Sequence, residues 1–215
     1  MSFATPALGQ LDQITSREAV SGLKAALEKG SQAAVAALGR TDGFFGNPQV
    51  KIPLPESLQR TEHLMRRFGM GRYADELVLT LNRAAEAAVP EARALFLDAV
   101  KKMSVQDAKG ILSGGDTAAT EYFRRSTQGA LRERFRPIVA KATARVELAA
   151  KYNEYAETAA SLGLVKKEDA NLDDYVTQKA LDGLFFMVAE EEKQIRKDPV
   201  SAASAIVRKV FGAIR

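Results

Sequence analysis

The sequence has no cysteine, no tryptophan and a single histidine, His63. Without cysteine there are no disulfides, no thiolate nucleophile and no thiolate zinc site, and the redox compartment is left undetermined. One imidazole excludes a multi-histidine metal centre, and a lone histidine without a convergent partner reads as a surface or capping residue. No apolar run reaches the length of a membrane span. The start, MSFATPALGQ, lacks the basic and apolar regions of a complete export signal and reads as the remnant left when one is cut away and Met1 is put back. We expect a flexible segment over 1–14 and a helical domain over 15–215.

What is present is ordinary for a globular protein: 215 residues, 46% hydrophobic, 27% charged, with a formal net charge of +4. That length suits one domain with a substantial core. The positive charge concentrates in Arg124, Arg125, Arg132, Arg134, Arg136, Lys141 and Arg145, opposed locally only by Glu133. No aromatic interleaving or nucleic-acid motif accompanies it, so nucleic acid is not an expected partner. The run reads as a solvated face pairing with acidic segments such as Glu168 to Asp174 or Glu190 to Glu192.

The sharpest backbone break lies in Ser104 to Arg136. Ser104 is placed as an N-cap, with Asp107 three residues on, and the short helix that follows must stop at Ser113-Gly114-Gly115. Asp116 or Thr117 then opens a new helix through Tyr122 and Phe123 into Arg124 and Arg125. A glycine pair before a helix N-terminus can cradle an anion, which makes Gly114, Gly115, Thr117, Arg124 and Arg125 candidate ligand-binding residues. The Gly-Lys-Ser/Thr ending of a nucleotide loop is missing and no strand precedes the turn. Asp116 sets its own charge where the anion would sit, and a tight helix–turn–helix corner is the simpler reading.

Elsewhere the periodicity is helical throughout. A capping box at Thr15-Ser16-Arg17-Glu18 opens a helix carrying Val20, Leu23, Leu27, Ala34 and Leu38 to a stop at Gly39. Arg40 to Leu54, with Gly43, Gly46, Pro48 and Pro53, is one long irregular loop whose Phe44, Phe45, Val50 and Ile52 are too apolar to stay in water. We expect it to cover one end of the core or a pocket there, as a candidate lid. Pro55 opens a second helix with Leu58, Leu64, Met65 and Phe68. Tyr73, Leu77, Leu81, Ala84 and Ala88 form a third, which Pro90 kinks or ends. Asn82, Arg83 and Glu86 interrupt its apolar pattern, with Asn82 and Glu86 one turn apart. If that face is internal, they form a polar cluster in a dry place and join the candidate ligand site; if external, a solvated stripe.

Pro137 predicts another kink or junction, followed by a long helix from Ile138 through Tyr155 toward Gly163. Asp169, Asn171 and Asp173 match alternate ligands of a calcium loop, but Asp174 and Ala180 stand where glycine and glutamate are needed, so no metal site is expected. Asn171 reads better as an N-cap. The next helix carries Leu184 to Val188, apolar on every side, before turning acidic at Glu190 to Glu192. The last, with Val200, Ala203, Ile206, Val207, Val210, Phe211 and Ile214 on one stripe, docks on its own core in the simpler reading and on a membrane surface or partner in the other.

The stretches TDGFFGNPQVKIPLPESL, NRAAEAAVPEA, KKMSVQDAKGILSGGDTAATEYFRRST, LGLV and NLDDYVTQKALDGLFFMVAEEEKQIRKDP resemble a bacterial domain-of-unknown-function family, the one numbered 4197. The resemblance runs from about Ser16 to the C-terminus. It implies an envelope location, periplasmic, because family members carry an export signal; it implies no activity and no site residues.

The expected fold is therefore an all-α, single-domain multi-helix bundle with kinked helices and one long loop. The expected function is non-enzymatic: a helical envelope protein holding a small amphipathic or anionic ligand between helices, with no cofactor. The alternative is a scaffold or interaction module using the basic 124–145 face or the C-terminal amphipathic helix. Nucleophilic and metal chemistry lack their usual residues, and no catalytic residue is assigned; carboxylate acid–base work by Glu86 or Asp182 stays open.

Overall fold

The computed structural model describes residues 16–69, 71–163 and 170–197. Among them the chain is all-α, as its periodicities require: α1 (Ser16–Gly39), α2 (Glu56–Arg67), α3 (Gly71–Ala88), α4 (Ala92–Lys102), α5 (Val105–Ser113), α6 (Ala118–Thr143), α7 (Glu147–Ser161) and α8 (Leu172–Lys197). The expectations for the segment 1–14, for the capping residue Thr15, for Glu168 and Asp169, and for the C-terminal stripe from Val200 to Ile214 fall outside the described residues. The chain forms two compact units, each assembled from separated stretches: one within 1–34, 94–127 and 187–215, the other from 35–93 and 128–186.

The first unit contains most of α1 and α4, all of α5, the start of α6 and the end of α8. Leu23, Phe96, Val100, Ile111 and Phe123 are buried in it, and the Phe96 and Phe123 rings lie 4.8 Å apart in a tilted pair. Helix α5 starts as expected: the Ser104 hydroxyl oxygen accepts from the Asp107 N–H at 3.1 Å, and the Ser104 N–H donates to the Asp107 carboxylate at 3.0 Å. The Ser104 hydroxyl also donates to the Asp107 carboxylate at 2.6 Å, and this bond with the one from the Ser104 N–H holds the Asp107 carboxyl below the usual carboxylate range. The helix ends at Ser113, where Gly114 takes up an extended conformation.

The second unit holds the 40–54 loop, α2, α3, α7, most of α6 and the first half of α8. Phe44, Ile52, Leu77, Leu81, Leu131, Phe135, Leu172, Leu184 and Phe185 fill its interior. Pro90 acts as expected, ending α3 in a 3₁₀ turn over Val89–Glu91 before α4 begins. Asn171 caps α8, its side-chain oxygen accepting from the N–H groups of Asp173 at 2.9 Å and Asp174 at 3.2 Å.

Three expectations are corrected. Pro137 is not a junction: helix α6 runs through it, and the break falls at 144–146. Pro137 sits on an exposed face, where water can take up the carbonyl its missing N–H leaves, whereas the Thr143 hydroxyl turns back onto the Val139 and Ala140 carbonyls at the true helix end. Pro55 lies just outside α2, its carbonyl accepting from Leu58 and Gln59. Phe68 and Tyr73, assigned by spacing to buried faces, are 75% and 51% exposed; α2 ends before Phe68, and Tyr73 lies in the first turn of α3.

Candidate functional site

Two of the three polar residues of α3, Asn82 and Glu86, are internal, and Arg83 lies half-buried beside them. Asn82 is fully buried and grips Ile52 from both sides: its side-chain oxygen accepts from the Ile52 N–H at 2.8 Å and its amide donates to the Ile52 carbonyl at 2.9 Å. One turn on, Glu86 is 4% exposed, and one carboxylate oxygen accepts from the N–H groups of Phe44 at 3.0 Å and Phe45 at 3.1 Å. Its other oxygen takes a 2.6 Å hydrogen bond from Arg83, whose second nitrogen reaches Asp42 at 2.8 Å. Asp42 has a φ of 63°, a left-handed turn that an aspartate tolerates better than most residues. The hydrogen bonds from the Phe44 and Phe45 N–H groups to the buried Glu86 carboxylate are worth about 1.5–3 kcal/mol each, while the exposed Arg83–Asp42 pair adds at most about 1 kcal/mol.

The expected lid is thereby part of the core. Phe44, Val50 and Ile52 are buried, and the Phe44 ring fills the space where Gly183 has no side chain; a Cβ at Gly183 would come within 2.7 Å of it. Phe45 is half-buried with the Lys51 ammonium 4.1 Å above its ring. It lines an open groove of about 690 Å³ that also contains Lys51, His63, Arg66 and Asp75.

In the first unit, the α6 N-terminus already holds an anion supplied by the chain. The carboxylate of Glu192, 6% exposed, accepts from the N–H groups of Ala119 at 3.0 Å and Thr120 at 2.9 Å and from the Thr120 hydroxyl at 2.9 Å. Arg196, one turn further along α8, donates to the same carboxylate at 2.8 Å and to the Ile111 carbonyl at 2.9 Å. The donors and dipole that would attract an external anion at this corner are thus taken by a side chain. Gly114 and Gly115 are exposed in the turn, Thr117 accepts from the Glu121 N–H through its carbonyl, and Arg124 and Arg125 follow on α6, half-buried and exposed respectively. These five residues belong to the first unit, and Asn82, Arg83 and Glu86 to the second. The role of Glu192 was legible only as a continuation of the buried Leu181, Phe185 and Val188 spacing along α8.

Much of the basic run is engaged at home. Arg136 pairs with Asp174 at 2.8 Å and Arg134 with Glu91 at 3.2 Å, while Arg132 donates to Gln178 at 3.3 Å. Sequence reasoning did not find the groove that Arg132 lines. It has a volume of about 560 Å³ and lies between Pro53, Leu54, Glu56 and Gln59 on one side and Arg132, Asp174, Tyr175, Gln178, Lys179 and Asp182 on the other. Its floor is fixed where the Tyr175 hydroxyl donates to the Pro53 carbonyl at 3.1 Å, and the Gln59 amide ties the rim to the Leu54 carbonyl at 2.8 Å. Gln178 in turn donates to Asp182 at 2.9 Å, and the Lys179 ammonium stands 5.7 Å from the Tyr175 ring centre. The groove is lined by two cations, Arg132 and Lys179, and three carboxylates, Glu56, Asp174 and Asp182, beside apolar atoms of Pro53, Leu54 and Tyr175. Its size falls in the range of small-molecule sites.

A family model described as a protein of unknown function (DUF4197) matches residues 13–212. The chain belongs to that family. No curated protein and no solved structure matches it. Family membership supplies no ligand and no catalytic residue, so the chemistry must be read from the side chains. Among the described residues no three His, Asp or Glu side chains gather as a cation site, and no helix is long and apolar enough to cross a membrane.

Proposed function

We propose that this DUF4197 protein is a non-enzymatic helical binding protein of the bacterial envelope. Its ligand is a small amphipathic molecule with an anionic or zwitterionic head, seated in the groove between residues 53–59 and the α6–α8 wall. The observation that carries the reading is the lining of that groove, which sets two cations and three carboxylates beside apolar atoms. Lys179 and Arg132 receive the acidic part of the head, Glu56 and Asp182 receive a basic part, and Pro53, Leu54 and Tyr175 receive apolar atoms. Asp174 is neutralised by Arg136, which leaves the lysine as the principal anion receptor. The basic 124–145 face supports an interaction module less well, because Arg134 and Arg136 are ion-paired within the chain. A periplasmic location is supported by the resemblance to exported family members.

The test is an NMR titration with an alkyl betaine below its micelle concentration. Saturable one-site shifts are expected at Leu54, Tyr175 and Lys179. The double substitution Arg132→Met with Lys179→Met should weaken binding about tenfold, the equivalent of roughly 1.4 kcal/mol. Shifts scattered over both units, or unchanged affinity in the double variant, would sink the proposal.

A further inference from the structure

The corner between α2 and α3 reads Arg66-Arg67-Phe68-Gly69-Met70-Gly71-Arg72-Tyr73, with three arginines and no carboxylate in eight residues. Phe68 is 75% exposed and Tyr73 51% exposed. Exposed apolar groups gathered on one part of a surface mark interaction sites, and here two open aromatic side chains stand five residues apart at one corner. Arg66 is committed to Glu62 and Asp75. Arg67 and Arg72 are exposed and have no ion pair among the described residues; the Arg72 guanidinium lies 6.0 Å from the Tyr73 ring centre. The backbone there turns at Gly69, with φ of 75°.

We propose that this corner is a peripheral anchor on an anionic lipid bilayer. Phenyl and phenol rings are suited to the boundary between headgroups and acyl chains, where an apolar body and a polar tip are both accommodated. Unpaired guanidinium groups beside them are attracted by anionic headgroups, each contributing about fivefold in affinity near such a surface. A soluble anion would be served by the arginines alone and gives no reason to expose Phe68. The bilayer accounts for the rings and the charges together.

The absence of tryptophan from the whole chain supplies a clean reporter. In Phe68→Trp protein, emission is expected to shift to shorter wavelength, and to be quenched by brominated acyl chains, on addition of vesicles of phosphatidylcholine with about 30% phosphatidylglycerol, an anionic surface. Pure phosphatidylcholine vesicles should give little change. Arg67→Gln with Arg72→Gln should reduce co-sedimentation with the anionic vesicles roughly 25-fold, and Phe68→Ser with Tyr73→Ser should abolish it, with far-UV circular dichroism unchanged because all four side chains are exposed. Failure to bind anionic vesicles would overturn the proposal. So would binding in which the introduced indole stays in water, since another part of the chain would then be making the contact.

Discussion

Replacing Glu192 by glutamine changes one atom and no shape, yet it removes the anion that holds the start of α6. The carboxylate accepts from two backbone N–H groups, the Thr120 hydroxyl and Arg196, all at 2.8–3.0 Å. Glutamine keeps one accepting oxygen and sets an amide against donors that need an acceptor. At least one buried N–H is left unmatched, and the Arg196 guanidinium no longer faces a carboxylate at residue 192. Charge-assisted hydrogen bonds are worth about 1.5–3 kcal/mol each, and neutralising one partner of a buried pair costs about 3–5 kcal/mol, so we expect Glu192→Gln to lose roughly 3–5 kcal/mol. At this chain length that is a fall in Tm of roughly 6–20 °C. Calorimetry and urea melts give the number, and amide exchange at Ala119 and Thr120 localises it. Arg134→Gln, which breaks an exposed pair, serves as control and should stay within about 1 kcal/mol. A Glu192→Gln protein as stable as that control, with Ala119 and Thr120 still protected, would refute the reasoning.

Asn82→Ala should cost about 2–5 kcal/mol in urea melts, because it orphans both backbone groups of buried Ile52. Gly183→Ala should destabilise by about 1–3 kcal/mol through collision with the enclosed Phe44 ring. Gly129→Ala, in the same chemistry but with open space around it in α6, should stabilise by about 0.5–1 kcal/mol. Burial pushes the Glu191 carboxyl up, with Lys29 opposing it. Its favourable contribution is therefore present below the ordinary carboxylate range and is lost as pH rises through the raised folded value. Glu191→Gln should accordingly raise Tm near about pH 7 and leave it unchanged near about pH 3, where the wild-type side chain is already neutral.

Local rules recovered most helix ends. Ser104 with Asp107, the glycine pair after Ser113, Pro90 and Asn171 act within a turn of themselves, so their effect is visible in the chain order. Pro137 misled because a proline's cost depends on whether water can reach the freed carbonyl, which is a property of the face and not of the sequence. Phe68 misled for a related reason: a helical spacing continues on paper past the residue where the helix stops. Asn82 and Glu86 were recognisable as polar groups in an apolar pattern, but their partners, 30 and 42 residues away in the loop, were not. The groove was beyond reach altogether, since Pro53, Arg132 and Tyr175 meet only through tertiary packing.

We propose above that the groove beside Leu54, Tyr175 and Lys179 holds a small amphipathic ligand. Native mass spectrometry of the protein purified from expressing cells, followed by extraction and identification of what is released, tests it most directly. A stoichiometric adduct with an acidic or zwitterionic head, absent from the Arg132→Met, Lys179→Met variant, is the expected result. A wild-type protein that carries no adduct, or one whose adduct survives in that variant, would contradict it.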